Sequence, residues 1–223
     1  ETAQRLGLSV TFMAKPHSEQ SGSSCHIHLN LADESGKNVF LGKETFQGVP
    51  NTSPHFRHFL AGWMAHTPEL MPFYAPTVNS YKRFQSASWA PTKMSWSVDN
   101  RTAGFRIVGV DSKGLRIECR LPGADANPYL AFSAALASGL DGINKKLEPG
   151  APLVGDSYTG DSSIPALPTT MEHALDLFKN SSFVREAFGE DVQSHYAHYF
   201  GNEVKQYNAA VTDWERSRYF EQC

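Results

Sequence analysis

"GLRIECRL", residues 114–121, sets Arg116, Glu118 and Arg120 at alternate positions with Leu115, Ile117, Cys119 and Leu121 between them. Successive side chains of an extended strand point to opposite faces, so the four apolar groups share one face and the three charged groups the other. The octapeptide therefore predicts a strand that covers a core with one side and presents charge with the other. In a half-buried sheet the ordinary fate of such a charged face is solvation, with Arg116, Glu118 and Arg120 pairing among themselves. Whether the strip binds anything depends on what the neighbouring segments add to it.

"CHIHLNL", residues 25–31, repeats the alternation: Cys25, Ile27, Leu29 and Leu31 are expected on one face, His26, His28 and Asn30 on the other. "FRIVGV" (105–110) reads as a further strand, and "SVTF" (9–12) as another. Helical signals frame these strands. Ser53 before Pro54 starts a helix in which Phe56, Phe59, Leu60, Trp63 and Met64 recur at helical spacing, to about residue 66. Asn127 before Pro128 starts a second, whose "AFSAALASGLDGI" run is small enough to pack closely. Residues 148–168, with four prolines and three glycines, predict a long irregular loop that serves as a docking segment or lid, or is a plain surface excursion. Tyr196, Tyr199, Phe200, Val204, Tyr207, Val211 and Trp214 then recur at threes and fours, predicting a closing helix.

The bulk numbers bound the function. At 223 residues, 40% hydrophobic and 19% charged, the chain has the composition of one large globular domain. A formal net charge of −3 gives no global reason for nucleic acid or an anionic membrane as partner. Cys25, Cys119 and Cys223 form no disulfide framework or zinc ribbon, which predicts a reducing, cytoplasmic setting. The opening at Glu1 reads as mid-stride, so the expectation is a chain whose earlier part is missing.

Charge is nonetheless concentrated. Residues 81–120 hold eight basic residues, Lys82, Arg83, Lys93, Arg101, Arg106, Lys113, Arg116 and Arg120, against Asp99, Asp111 and Glu118. Like charges about 4 Å apart repel by roughly 4 kcal/mol at an effective dielectric near 20, so converging arginines need a counter-charge, which a polyanionic ligand supplies. Five of the eight are arginines, suited to bidentate capture of carboxylate and phosphate. His26 and His28 could share a metal or a phosphate, or simply be solvated. Glu118 could be a hard ligand for Mg²⁺ or Mn²⁺, or the partner of a flanking arginine. Metal, arginine and a glycine approach ("SGSSCH", with Gly22) together describe a phosphoryl-transfer site.

"SGSSCHIHLNL", "NSYKRF" followed by "APT", "DNRTAGFRIV", "RIECR" and "GADANPYLAFSAALASGLDGI" occur in the order in which similar signatures occur in the glutamine synthetase family. The resemblance spans nearly the whole chain. It implies an α+β fold, a curved antiparallel sheet backed by helices, with residues 1–223 forming a partial catalytic domain. It implies an ATP-dependent ligase that joins the γ-carboxyl of glutamate to ammonia or an amine, using Mg²⁺ or Mn²⁺, in a ring-shaped homo-oligomer such as a dodecamer. By motif match His26 and Glu118 resemble metal ligands, and His28, Asn30, Arg106, Arg116 and Lys113 resemble nucleotide contacts, Lys113 across a one-residue length difference. Gly22, Arg83 and Arg120 resemble the glutamate-binding set, and Arg101 the arginine that steadies the transferring phosphoryl group.

Three departures qualify the match. Trp89, in "SASWAP", stands where ammonia-using members carry a glutamate that holds and deprotonates ammonium; an indole cannot take that proton, but its face can bind the alkyl body or cationic head of a larger amine. An organic amine is therefore favoured as acceptor. Ser21 replaces the usual asparagine before Gly22. The remaining metal-binding glutamates of the family lie upstream of Glu1, so the chain alone is expected to be inactive. Two rivals remain: a metal-dependent hydrolase built on the HxH strand, and a non-catalytic structural or regulatory relative.

Overall fold

The computed structural model describes residues 1–159 and 163–222. Its elements run α1 (Thr2–Arg5), β1 (Ile27–Leu29), β2 (Leu41–Phe46), β3 (Val49–Thr52), α2 (Pro54–Tyr74), α3 (Val78–Tyr81), β4 (Trp96–Val98), β5 (Phe105–Val108), β6 (Arg116–Cys119), α4 (Pro128–Lys145), α5 (Met171–Asn180), α6 (Ser182–Phe188), α7 (Glu190–Ala209) and α8 (Asp213–Tyr219). The expected α+β class holds. Four strands make one sheet in the order β1-β6-β5-β4, and β2 and β3 form a separate hairpin. Both neighbours of β6 are antiparallel to it, but β4 runs parallel to β5, so the sheet is not wholly antiparallel.

The octapeptide 114–121 behaves as its alternation requires. Leu115, Ile117, Cys119 and Leu121 are all buried in the core. Against that apolar face lies α2, whose Trp63 meets Phe105 of β5 edge-on at 5.4 Å. Ser53 caps α2, accepting from the Phe56 amide at 3.4 Å, and Asn127 caps α4 by accepting from the Tyr129 amide at 3.0 Å. Helix α4 packs on α2 through glycine and small residues: a Cβ on Gly142 would lie 2.6 Å from both N and Cα of Gly62. Only a bare backbone permits that approach.

Several expectations are corrected. Residues 9–12 are not a strand, and Val10 and Phe12 are exposed; a single extended segment without a partner strand leaves its backbone groups unpaired. Cys25 is exposed rather than core-facing, because β1 begins only at Ile27. Helix α2 continues past residue 66 to Tyr74 through Pro68 and Pro72. An internal proline costs about 3 kcal/mol, but burial of Leu70, Met71, Phe73 and Tyr74 returns about 1.5–3 kcal/mol each. The closing helix is two helices. Thr212 and Glu215 form a capping box that starts α8 anew, and Tyr199 and Trp214 are exposed.

Within 148–168, the described part docks on the sheet. Trp96 Nε1 donates to Gly150 O at 2.8 Å, the Leu153 amide to Trp96 O at 2.8 Å, and the Met94 amide to Pro165 O at 2.8 Å. Residues 160–162 of that segment lie outside the described residues.

Candidate active site

The polar face of the sheet gathers most of the charged residues singled out above. Register places Arg106, Glu118 and His28 side by side across β5, β6 and β1. Glu118 is the hub and is 2% exposed. It accepts from Arg106 Nη1 at 3.0 Å and Arg120 Nη1 at 2.8 Å, and lies 2.9 Å from His26 Nδ1. Pairing of Glu118 with Arg120 is what a solvated strip would also show, but burial of both groups excludes simple solvation. Burial alone would raise the Glu118 carboxyl. The His26 hydrogen bond, the Arg120 charge and the Arg106 hydrogen bond outweigh it and hold the group at about 2, ionised at every physiological pH.

Two adjoining cavities open on this network. The larger, about 480 Å³, is lined by His26, Trp89, Arg101, Arg106, Glu118 and Arg120. The smaller, about 180 Å³, is lined by Ser21, Gly22, Ser24, His26, Arg83, Ser88, Trp89, Ala90 and Arg120. His26, Trp89 and Arg120 border both, so a molecule in one would touch the same three side chains as a molecule in the other. Trp89, on a loop, sits in a left-handed backbone conformation (φ 62°), is 62% exposed and lines both cavities. The loop it belongs to is tied to the 148–168 segment by Tyr158, whose hydroxyl donates to Ala90 O at 2.9 Å.

Arg83 is almost wholly buried. Its Nη2 donates to Arg120 O at 3.2 Å and Leu121 O at 3.0 Å, and its Cδ would lie 2.9 Å from a Cβ on Gly22. Gly22 is therefore the residue type that lets the guanidinium stem pass. Arg120 Nε donates to Arg101 O at 3.1 Å, which ties the loop carrying Arg101 to the strand end. The Arg101 side chain itself is exposed in the larger cavity.

Further along the same face Arg116 Nε donates to His28 Nδ1 at 3.1 Å. Burial lowers the His28 pKa, with Glu118 opposing and Arg116 adding to the fall, so the imidazole is a neutral acceptor. Asn30 and Lys113 line a third cavity of about 490 Å³ beside Lys37 and Asn38, not the two that meet at Trp89. The nominated residues thus divide: His26, Arg83, Trp89, Arg101, Arg106, Glu118, Arg120 and Gly22 converge, while Asn30 and Lys113 line a separate cavity. Sequence reasoning missed Ser24, whose hydroxyl is 2.9 Å from His26 Nε2 and fixes that ring; its place in "SGSSCH" was the available signal.

The donor set allows a divalent metal only in part. The His26 imidazole and the Glu118 carboxylate, in contact at 2.9 Å, are the donor groups at the larger cavity and would give up that contact to hold an ion; among the described residues no three His, Cys, Asp or Glu groups form a metal cluster. Such a pair fits an ion that also takes phosphate oxygens and water, as Mg²⁺ and Mn²⁺ do, and not an all-protein cage.

The model of the glutamine synthetase catalytic domain matches residues 1–219. The chain belongs to the glutamine synthetase family. It is 46% identical over 221 residues to a gamma-glutamylethanolamide synthetase of Streptomyces coelicolor, covering 99% of the chain and 46% of that protein. It is 40% identical over 222 residues to a glutamate–isopropylamine ligase of a Pseudomonas species, covering 99% of the chain and 48% of that enzyme. A solved GmaS/ADP complex superposes with a TM-score of 0.87 at 32% identity, covering 98% of the chain and 50% of that structure. The chain spans about half the length of the relatives it matches. Among the described residues no helix is long and apolar enough to cross a membrane.

Proposed function

We propose that the protein ligates the γ-carboxyl of glutamate to an amine at the expense of ATP, through a γ-glutamyl phosphate. The observation that carries this reading is the pair of cavities sharing His26, Trp89 and Arg120: one arginine-lined, for the transferring phosphoryl group, the other small and holding Arg83, for glutamate. In the first step a glutamate γ-oxygen attacks the terminal phosphorus and ADP leaves. In the second an amine nitrogen attacks the acyl carbon, phosphate leaves with that oxygen, and the nitrogen sheds a proton.

In this reading Arg83 and Arg120 hold the carboxylates of glutamate, with Gly22 giving backbone access for its amino group. Arg101 and Arg106 face the transferring phosphoryl group, and preorganised positive charge there needs no rearrangement as negative charge shifts between oxygens. His28 and Arg116 act on the outer phosphates, Asn30 and Lys113 on the nucleotide beyond them. His26 and Glu118 would hold Mg²⁺ or Mn²⁺, whose chemistry is to screen the phosphate oxygens. Complete activity is assigned to the natural full-length protein, a cytoplasmic ring-shaped homo-oligomer, dodecameric in this reading; the 223-residue chain alone is expected to be inactive.

Trp89 selects the acceptor. A side chain that lines both cavities without a carboxylate cannot remove a proton from ammonium, but offers an apolar face to an alkyl group. An organic amine is the proposed acceptor, in keeping with the names of the two relatives above. A hydrolase built on the HxH strand has no third ligand among the described residues to support it. The test is phosphate release and product mass from the natural full-length protein with glutamate, MgATP and ammonium, ethanolamine, isopropylamine, putrescine or spermidine. Preference for one organic amine supports the reading. Equal or better turnover with ammonium reduces Trp89 to loop packing, and no turnover with any amine leaves a non-catalytic relative.

A further inference from the structure

The buried guanidinium of Arg83 is only half satisfied. Nη2 is bound to two backbone carbonyls, whereas Nη1 is buried without a hydrogen-bond partner. An unpaired charged edge in the interior is costly unless an opposite charge stands near it. One does. Asp125 Oδ1 is also buried and unpartnered, and it flanks Gly123 together with Arg83 Nη1. A Cβ on Gly123 would lie 3.3 Å from Arg83 Nη1 and closer still to Asp125 Oδ1. The two groups therefore share the small space over that glycine.

The other oxygen of Asp125 is committed. Asp125 Oδ2 accepts from Ser80 Oγ at 2.7 Å and Thr77 Oγ1 at 3.0 Å, the two residues that form the capping box of α3. Arg83 follows α3 directly, its amide donating to Ser80 O at 3.2 Å. The carboxylate thus fixes both the helix that delivers Arg83 and the electrostatic surroundings of its free edge. Burial lowers the Arg83 pKa to about 10, and Asp125 is the largest influence raising it again.

We propose that Asp125 is a positioning residue for glutamate: pinned by the α3 cap and facing the free edge of Arg83 across Gly123, it holds that guanidinium fixed in the wall of the smaller cavity. This rests on the reading of that cavity as the glutamate site. Asp125 lines neither of the cavities that meet at Trp89, so its effect on substrate is exerted through Arg83.

Two measurements on the natural full-length protein test it. Asp125→Asn keeps an oxygen for Ser80 and Thr77 while removing the charge. In steady-state kinetics its KM for glutamate is expected to rise about tenfold, with the KM for ATP within about twofold and kcat reduced by less than about threefold. Asp125→Glu should recover part of the loss. A merely structural role would move kcat, both KM values and protein yield together. Where the wild type turns over glutamate, an unchanged glutamate KM in Asp125→Asn overturns the inference and leaves the ligase reading intact. The second measurement needs no substrate: a double-mutant cycle of Asp125→Asn and Arg83→Met in urea unfolding. The two changes should couple by about fivefold or more in the unfolding constant, and additive effects would overturn the inference even if the protein proves to have another activity. Should Asp125→Asn fail to fold, Ser80→Ala, which removes one hydrogen bond to the same carboxylate, is expected to raise the glutamate KM about two- to threefold; no change there counts against the proposal.

Discussion

Gly142→Ala should destabilise the protein although alanine is the better helix former. Alanine gains about 1 kcal/mol over glycine within a helix such as α4. Against that stands the α2 backbone: the new methyl would lie 2.6 Å from N and Cα of Gly62 and nearer still to His58 O, about an ångström inside contact distance. The opposing atoms are backbone, and α2 is held in place by the fully buried Phe59, Leu60 and Trp63, so no side chain can swing aside. Overpacking of this kind costs about 1–3 kcal/mol, and its upper range applies where backbone meets backbone. The net expectation is a loss of about 2 kcal/mol after the propensity gain, or roughly 4–8 °C in Tm for a cooperative unit of this size. Gly201→Ala in α7 is the matched control. Its methyl would meet only Leu175 Cδ2, at an ordinary 3.8 Å, so propensity should dominate and stability should rise by about 0.5–1 kcal/mol. Differential scanning calorimetry of the two variants beside wild type reads the difference. A Gly142→Ala variant as stable as wild type, or shifts of the same sign in both, would refute the close α2–α4 packing.

Other residues give sharper functional readouts. His66 bridges Glu69 at 2.6 Å and Asp141 at 2.8 Å while stacking on Phe183; burial opposes its protonation, but the two carboxylates raise its pKa above the ordinary 6.5. A raised folded pKa stabilises fully below about 6.5 and loses its effect as pH rises through the folded value, so the Tm deficit of His66→Gln should be larger at about pH 6 than at about pH 9. A deficit independent of pH would remove the clamp. Glu118→Gln leaves Arg106 and Arg120 without their shared counter-charge, and breaking such a buried cluster costs about 3–5 kcal/mol. Its Tm should fall accordingly and a Mn²⁺ titration followed by electron paramagnetic resonance should show weaker binding; unchanged binding would exclude Glu118 as a ligand. Trp89→Glu should raise turnover with ammonium relative to organic amines, measured in the phosphate-release assay, whereas an unaltered ratio would separate Trp89 from acceptor choice.

The alternation in "GLRIECRL" was enough to place the apolar face in the core, because a period of two has one solution once one face must be buried. Convergence of the arginines was not readable from charge alone. It depends on register, which sets Arg106 beside Glu118, and on loops that bring His26 and Trp89 to the same cavities. The reach of α2 past Pro68 was hidden because local breaker chemistry was overruled by burial of residues whose partners lie on α5 and α7, as the contacts of Phe73 with Phe178 and Phe200 show. By contrast the break between α7 and α8 was written in "TDWE", a capping-box spacing lost among evenly spaced aromatics. The parallel β4–β5 pair had no local signal at all, since the side-chain alternation of a strand is the same for either pairing direction.

The central claim is that a glutamate carboxylate oxygen attacks ATP in the cavity bordered by His26, Arg106 and Glu118. It is tested most directly by supplying the natural full-length protein with glutamate labelled with oxygen-18 in its γ-carboxylate, MgATP and the preferred amine, and weighing the phosphate released. One labelled oxygen per phosphate, in step with amide formation, is the expected result. Unlabelled phosphate accompanying amide formation would contradict the γ-glutamyl phosphate, and with it the roles assigned to the two cavities.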